Sequence, residues 1–299
     1  MTTTLANPPA APPALGLEAL AVWREWIEEQ CGACFPESRT HVLESCLRDR
    51  MRATGSASQA EYFGRVVRGD PTERRALVDR VLNHETGFFR HQPSYDALRT
   101  GMLPALTAAQ RGLGRPRRIE LWSAGSSTGE EAYSMAITAL EVLLAAAFEF
   151  TVTGTDFTAA CVEAARVGRY ERRSMEGLAA EHRGRYFRPA AGHPGSFEAA
   201  RYLRNRAEFG LFNFLRPETY PKREFHVIFC QNVLIYLREE IRNQVAREVC
   251  GRLAPGGYLV PAPGELPSFA MPGIEAARFG PVLVYRRKPE ERVNAKRVD

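Results

Sequence analysis

A short apolar strand, a turn of small residues, a helix, a second strand and then a single acid form the most constraining pattern in this 299-residue chain. Residues 119–123 read as the first strand, 124–129 as the turn and 130–144 as the helix. Residues 148–155 alternate like a strand and run into Asp156, and another helix follows over 159–167. That is the βαβ unit of an α/β fold with a doubly wound, Rossmann-like sheet, which binds ligands outside the carboxyl ends of its strands. Further strands are predicted at 206–211, 225–230 and 258–261, with a last strand or hairpin within 275–287. An amphipathic helix over 238–253 carries Ile241, Val245, Val249 and Leu253 on one stripe, and Pro255-Gly256-Gly257 reads as its stop.

Ahead of this unit the rhythm is helical. Leu20, Trp23, Trp26 and Ile27 share one face, as do Val42, Leu43, Cys46, Leu47 and Met51. Ser56 or Ser58 opens a third helix carrying Tyr62, Phe63, Val66 and Val67. The fourth has the clearest start, with Asp70 as N-cap, Pro71 at the first helical position and Glu73 three residues after the cap. Arg48, Arg50, Arg52, Arg65, Arg68, Arg74 and Arg75 form either a docking face or an ordinary solvated one, and spacing leaves both readings open. The rhythm breaks at 83–92, and a helix is predicted from Pro93 to about Gln110.

The expected organisation is therefore a flexible Pro/Ala-rich leader (1–14), a helical domain (15–82), a linker and helix (83–118), the α/β domain (119–287) and a charged tail (288–299). A turn-rich insertion within the α/β domain predicts a small antiparallel β flap at about 183–209.

Composition excludes several classes. With 44% hydrophobic residues and a formal net charge of +5 the chain is ordinary globular material. Its longest mostly apolar run is broken by Glu141, short of the ~20 residues a membrane span needs. The first residues lack a secretory pattern, so a cytoplasmic protein is expected. Six cysteines are too sparse for a disulfide scaffold. Cys31 and Cys34 have CxxC spacing without a second ligand pair, and the six histidines show no close metal-ligand spacing, so no metal is expected. The arginines are scattered rather than run together, which does not predict nucleic acid and fits an acidic protein partner as well.

The turn Gly125-Ser126-Ser127-Thr128-Gly129 lets backbone approach a ligand, and small residues there also serve packing alone. Glu130 and Glu131 open the following helix. They would repel a pyrophosphate at that helix N-terminus and suit a cation, such as the ammonium and sulfonium of S-adenosylmethionine. Asp156 lies somewhat farther beyond Gly129 than the roughly 20 residues of the dinucleotide fingerprint. It reads as an acceptor for ribose hydroxyls or as the N-cap of the next helix. Asn213-Phe214 and Gln231-Asn232 follow the third and fourth strands at the same edge of the sheet, where amides can read adenine or the amino-acid end of the ligand.

Four ordered motifs resemble the CheR-type chemoreceptor glutamate methyltransferases. WSAGSSTGEEAYSMAI looks like their glycine loop, and NHETGFFR resembles their Asn-x-Thr-x-Phe-Phe-Arg segment. FCQNVLIYL is similar to FCRNVMIYF, and LAPGGYLV to the turn and strand that follow it. The resemblance runs over about 15–287 and implies a class I S-adenosylmethionine-dependent methyltransferase with an N-terminal helical domain and an inserted flap. It implies cofactor contacts at Thr86, Arg90, Glu131, Asp156, Asn213, Phe214, Gln231 and Asn232, with Arg90 and Tyr236 beside the transferred methyl. Spacing alone also allows Tyr236 to be a tyrosine at the edge of the core. The pattern departs at His84, where the family commonly has Asn, at Gln231, where it often has Arg, and at 261–265, where Pro-Ala-Pro-Gly-Glu replaces Gly-His-Ser-Glu.

The implied reaction esterifies glutamates on the cytoplasmic helical domain of chemoreceptors, leaving S-adenosyl-L-homocysteine. A solvated glutamate titrates near pH ~4.3, so no general base is needed, in keeping with the lack of a Ser-His-Asp or Cys-His arrangement in the sequence. The same fold acting on a signalling protein outside chemotaxis, or binding the cofactor without turnover, stays open at this point.

Overall fold

The computed structural model describes residues 16–32, 34, 37–111 and 117–289. The predicted leader, most of the predicted tail and part of the linker lie outside these residues. The chain divides into two compact units, one ending at Asn83 and one beginning at His84.

The first unit holds helices α1 (Leu17–Cys31), α2 (Thr40–Thr54), α3 (Gln59–Gly64) and α4 (Pro71–Val81). Their starts follow from capping chemistry. The Ser58 hydroxyl accepts the Glu61 N–H, and Asp70 accepts those of Thr72 and Glu73 with Pro71 behind it. Fully buried Trp23 packs against Trp26, Tyr62 and Phe63. Beside it Glu73, 5% exposed, accepts from the Arg50 guanidinium and, at 2.6 Å, from Tyr62 Oη. Much of the predicted arginine face is committed within the unit: Arg48 pairs with Glu44, Arg52 with Asp49 and Arg65 with Asp70, while Arg74 donates to the carbonyls of Val66 and Val67. This favours the solvated, self-paired reading of those side chains.

The second unit opens with α5 (Gln92–Ala97), a π-helical turn (Leu98–Met102) and α6 (Leu103–Arg111), which together form the helix predicted there. Then come β1 (Arg118–Ala124), α7 (Glu130–Leu143), β2 (Glu149–Asp156) and α8 (Ala159–Val167). The insertion contains β3 (Arg169–Glu171), α9 (Ala180–Tyr186), β4 (Phe187–Pro189), β5 (Ser196–Ala199) and α10 (Arg201–Arg204). The chain returns with β6 (Ala207–Leu211), β7 (Phe225–Cys230), α11 (Glu239–Cys250), β8 (Leu253–Pro261), β9 (Ile274–Phe279) and β10 (Val282–Arg287).

Seven strands form one sheet in the order β6-β2-β1-β7-β8-β10-β9. The pairs from β6 to β8 are parallel, and β10 runs antiparallel to both its neighbours. Strand order reverses between β1 and β7, so the chain leaves a crevice at the carboxyl ends of these two strands. One face of the sheet buries the α5–α6 run, α7 and part of the insertion; the other buries α11 around Trp122 and Phe225.

Two expectations need correction. The helix predicted over 238–253 ends at Cys250, and Leu253 begins β8, paired with Phe225. Pro255-Gly256-Gly257 is therefore not a helix stop but part of a strand, at a shift in register opposite Phe225 and Val227. A Cβ on Gly257 would sit 2.9–3.0 Å from the carbonyl oxygens of Ala254, His226 and Phe225, so glycine is what lets the strands close there. The three-stranded flap, ordered β3-β5-β4, begins at Arg169, ahead of the predicted range, while β6 at its predicted end belongs to the large sheet. A strand of three residues is too short for alternation to reveal.

Candidate active site

The crevice is built from the loops that leave β1, β2, β6 and β7. After β1 the chain turns through Gly125 (φ 88°), Ser127 (φ 46°) and Gly129 (φ 99°). A Cβ on Gly125 would meet Val233 Cγ2 at 2.6 Å, so glycine lets this turn lie against the loop after β7. The amides of Gly125 and Ser126 both donate to Thr155 O at 2.8 Å, tying the turn to the end of β2.

Asp156 stands at that end, 9% exposed. Its Oδ2 accepts the Ser127 N–H at 2.8 Å and its Oδ1 the Thr158 N–H at 2.9 Å. The carboxylate thus braces both the glycine turn and the entry to α8, combining a local cap with a cleft position. Burial raises its pKa against these two bonds.

Glu131 lies deeper. Its Oε1 accepts from Ser123 Oγ at 2.7 Å, and burial is the main cause that pushes its pKa up to about 8. Glu265 adds like-charge repulsion, and Arg90 opposes both. The residue is half-buried as a whole, while protein packs densely round its carboxyl group. Arg90 is held on the preceding loop by donating to Glu85 O at 2.8 Å, and half-buried Thr86 sits on the same loop.

From the opposite wall, buried Gln231 donates from Nε2 to Ser94 Oγ at 2.8 Å and to Pro261 O at 3.3 Å. Asn232 adopts φ 59°, and Tyr236 is half-buried in the single helical turn Leu234–Tyr236. Glu265 supports this wall without any exposure, accepting from the amides of Ile235 at 3.1 Å and Ala262 at 2.9 Å. Its importance was hidden in the sequence, where it stood only as the end of a departing segment. An acid soon after the last parallel strand was the available signal.

Three more of the expected residues have protein partners of their own. Glu130 turns toward Thr128 Oγ1, which donates to it at 2.6 Å, and toward Tyr170 of the insertion. Asn213 spends its Oδ1 on the Leu215 N–H at 2.8 Å, within the loop after β6. Phe214 packs its ring on Phe212. The fold also makes a neighbourhood that spacing could not show: His84 Nδ1 lies 3.4 Å from Cys161 Sγ, next to Asp156.

A doubly wound sheet with an acid-floored crevice at its switch point is the architecture of a class I S-adenosylmethionine-dependent methyltransferase. The CheR methyltransferase SAM binding domain matches residues 84–265, and the CheR methyltransferase all-alpha domain matches 18–82. Chemotaxis protein methyltransferase 1 of Pseudomonas aeruginosa is 30% identical over 89% of this chain and 97% of its own length. The chemotaxis protein methyltransferase of Vibrio parahaemolyticus is 30% identical over 88% of this chain and 94% of its own. The probable biofilm formation methyltransferase WspC of P. aeruginosa is 29% identical over 83% of this chain and 57% of its own length. The chain belongs to the CheR methyltransferase family. Among the described residues no helix is long and apolar enough to cross a membrane.

Proposed function

We propose that this methyltransferase esterifies glutamate side chains on the cytoplasmic helical domain of chemoreceptors. The observation that carries the acceptor is the likeness to chemotaxis protein methyltransferases over almost their whole length; for the donor it is Glu131, a carboxyl that accepts from Ser123 and is raised to about 8 by burial and by Glu265. Such a group gains most from a bound cation, and the donor's α-ammonium fits it. Asp156, already aimed by two amides, suits a ribose diol, and glycine at 125 and 129 lets the turn pack closely on Val233 and on Ala165. The donor's sulfonium supplies the methyl group and keeps the carbon–sulfur bonding pair, leaving S-adenosylhomocysteine.

The residues of the chain then have positional work. Glu131 and Asp156 fix the donor's two ends, while Gln231, Asn232, Asn213 and Phe214 line the region between. Arg90 offers a planar fork to a carboxylate of substrate or cofactor. Tyr236 donates a hydrogen bond near the acceptor oxygen. The acceptor glutamate is ionised at neutral pH, so catalysis consists of in-line placement and water exclusion, which can supply roughly 7–11 kcal/mol.

Incubation with methyl-labelled S-adenosylmethionine and receptor cytoplasmic domains is expected to yield base-labile label released as methanol. The wild-type rate should fall at least about 100-fold in Arg90→Ala. Cofactor binding without label on any receptor domain would overturn the acceptor assignment. The likeness to WspC favours a second reading, in which the labelled protein is a related signalling receptor outside chemotaxis; the identity of the labelled band separates the two.

A further inference from the structure

His84, Asp156 and Cys161 place a nitrogen, a carboxylate oxygen and a sulfur within 4.8 Å of one another. The three come from different segments: the loop before α5, the end of β2 and the first turn of α8. We propose that they form a binding site for a thiophilic divalent cation, Zn²⁺ foremost, and that the ion and the methyl donor exclude each other. The exclusion rests on the reading of Asp156 as the ribose acid; the metal site itself does not.

The geometry is close to that of a bound ion. Tetrahedral zinc with Zn–S of about 2.3 Å and Zn–N of about 2.0 Å sets its sulfur and nitrogen about 3.5 Å apart. Cys161 Sγ and His84 Nδ1 stand 3.4 Å apart. The widest spacing, 4.8 Å, has to close by roughly 1 Å, within reach of side-chain rotation. One ligand is already held from behind: the amides of Ser127 and Thr158 orient the Asp156 carboxylate. Such outer hydrogen bonds are what aim the ligands in metal sites. Ser127 Oγ also donates to the His84 backbone carbonyl at 3.0 Å, which ties the loop that carries the imidazole to the same turn. Water completes the fourth position.

The donor set also selects the ion. One sulfur, one imidazole and one carboxylate suit zinc or cobalt, and not magnesium or calcium, which take oxygen ligands. On binding, the Cys161 S–H bond breaks, the proton passes to solvent and the thiolate pair enters the S–Zn bond. His84 binds as neutral imidazole, and no oxidant or reductant takes part.

Co²⁺, a spectroscopic substitute for zinc, tests the site in the full chain. All proteins carry Cys34→Ser so that the Cys31/Cys34 pair does not contribute. Titration is expected to develop a thiolate-to-cobalt charge-transfer band, absent in Cys161→Ser and weakened in His84→Asn. Calorimetry with Zn²⁺ alone should give one site whose affinity falls about tenfold or more in either variant. Saturating S-adenosylhomocysteine should raise the apparent Kd for Zn²⁺ competitively, while Cys161→Ser keeps wild-type affinity for S-adenosylhomocysteine. Absence of the band, or zinc affinity unchanged in Cys161→Ser, overturns the site. Zinc binding that needs Cys161 yet ignores S-adenosylhomocysteine overturns the exclusion and the ribose assignment of Asp156, with the metal site standing.

Discussion

Ser123 Oγ donates to Glu131 Oε1 at 2.7 Å, and that single bond is outweighed by burial, which leaves the Glu131 carboxyl titrating at about 8. Without cofactor, then, it is mostly protonated at neutral pH. A bound ammonium favours the ionised form, so binding at pH 7 should release about one proton. Affinity for S-adenosylmethionine should rise with pH below about 8, by up to about tenfold per pH unit. Calorimetry in two buffers of different ionisation enthalpy counts the protons. Glu131→Gln should bind weakly and lose this slope.

The same group has the opposite effect on the cofactor-free fold. Its pKa is raised from 4.5 to about 8, so between those values the folded state holds a proton that the unfolded state has lost. Its contribution to stability is therefore fully present below about 4.5 and disappears as pH rises through about 8. Subtracting the denaturant stability of Glu131→Gln from that of wild type, pH by pH, should show this decline. A flat difference would refute a raised pKa at Glu131.

Asp156 carries two buried amides, so its variants separate ligand binding from architecture. Asp156→Ala strands the N–H groups of Ser127 and Thr158, at about 1–3 kcal/mol each. It should both abolish cofactor binding and lower the midpoint of thermal unfolding. Asp156→Asn keeps one acceptor oxygen, should unfold closer to wild type, and should still bind the cofactor at least about tenfold more weakly. Wild-type affinity in Asp156→Asn would remove this residue from the site.

How much of this was legible follows from how local each signal is. The path from β1 through the glycine turn and α7 to Asp156 could be read because alternation and capping act over a few neighbouring residues. Asp70 with Pro71 announced α4 for the same reason. Leu253 misled because it falls on the helical stripe while its partner, Phe225, lies far off in sequence. Glu130 and Glu131 were both expected at the ligand, and neighbours on a helix point about 100° apart, so they take different partners, Thr128 for Glu130 and Ser123 for Glu131. The approach of His84 to Cys161, 77 positions apart, has no local signature at all.

Glu265 offers a test of support rather than contact. Its two bonds to Ile235 and Ala262 hold the loop that carries Asn232 in its φ 59° conformation and Tyr236 behind it. Glu265→Gln keeps one acceptor but turns an NH₂ toward an amide donor. The expected result is a fall in kcat of about 10- to 100-fold, with KM for S-adenosylmethionine changed much less. Glu265→Asp, with the charge retained on a shorter stem, should recover part of the loss. Equal loss in kcat and stability in both variants would mark Glu265 as a packing residue only.

In the helical unit, Glu73 is a nearly buried acid satisfied by Arg50 and Tyr62. Removing one member leaves the others desolvated without a partner, so Glu73→Ala should destabilise this unit by about 3 kcal/mol. Hydrogen exchange of amides in α2 and α4 reads that loss locally. Replacing all three polar groups by apolar ones of similar volume, as Arg50→Met, Tyr62→Phe and Glu73→Leu, removes the desolvation cost together with the bonds. The triple variant should recover most of the stability that Glu73→Ala loses. Exchange rates in the triple variant as fast as in the single one would mean that the network adds net stability, instead of only satisfying groups already committed to the interior.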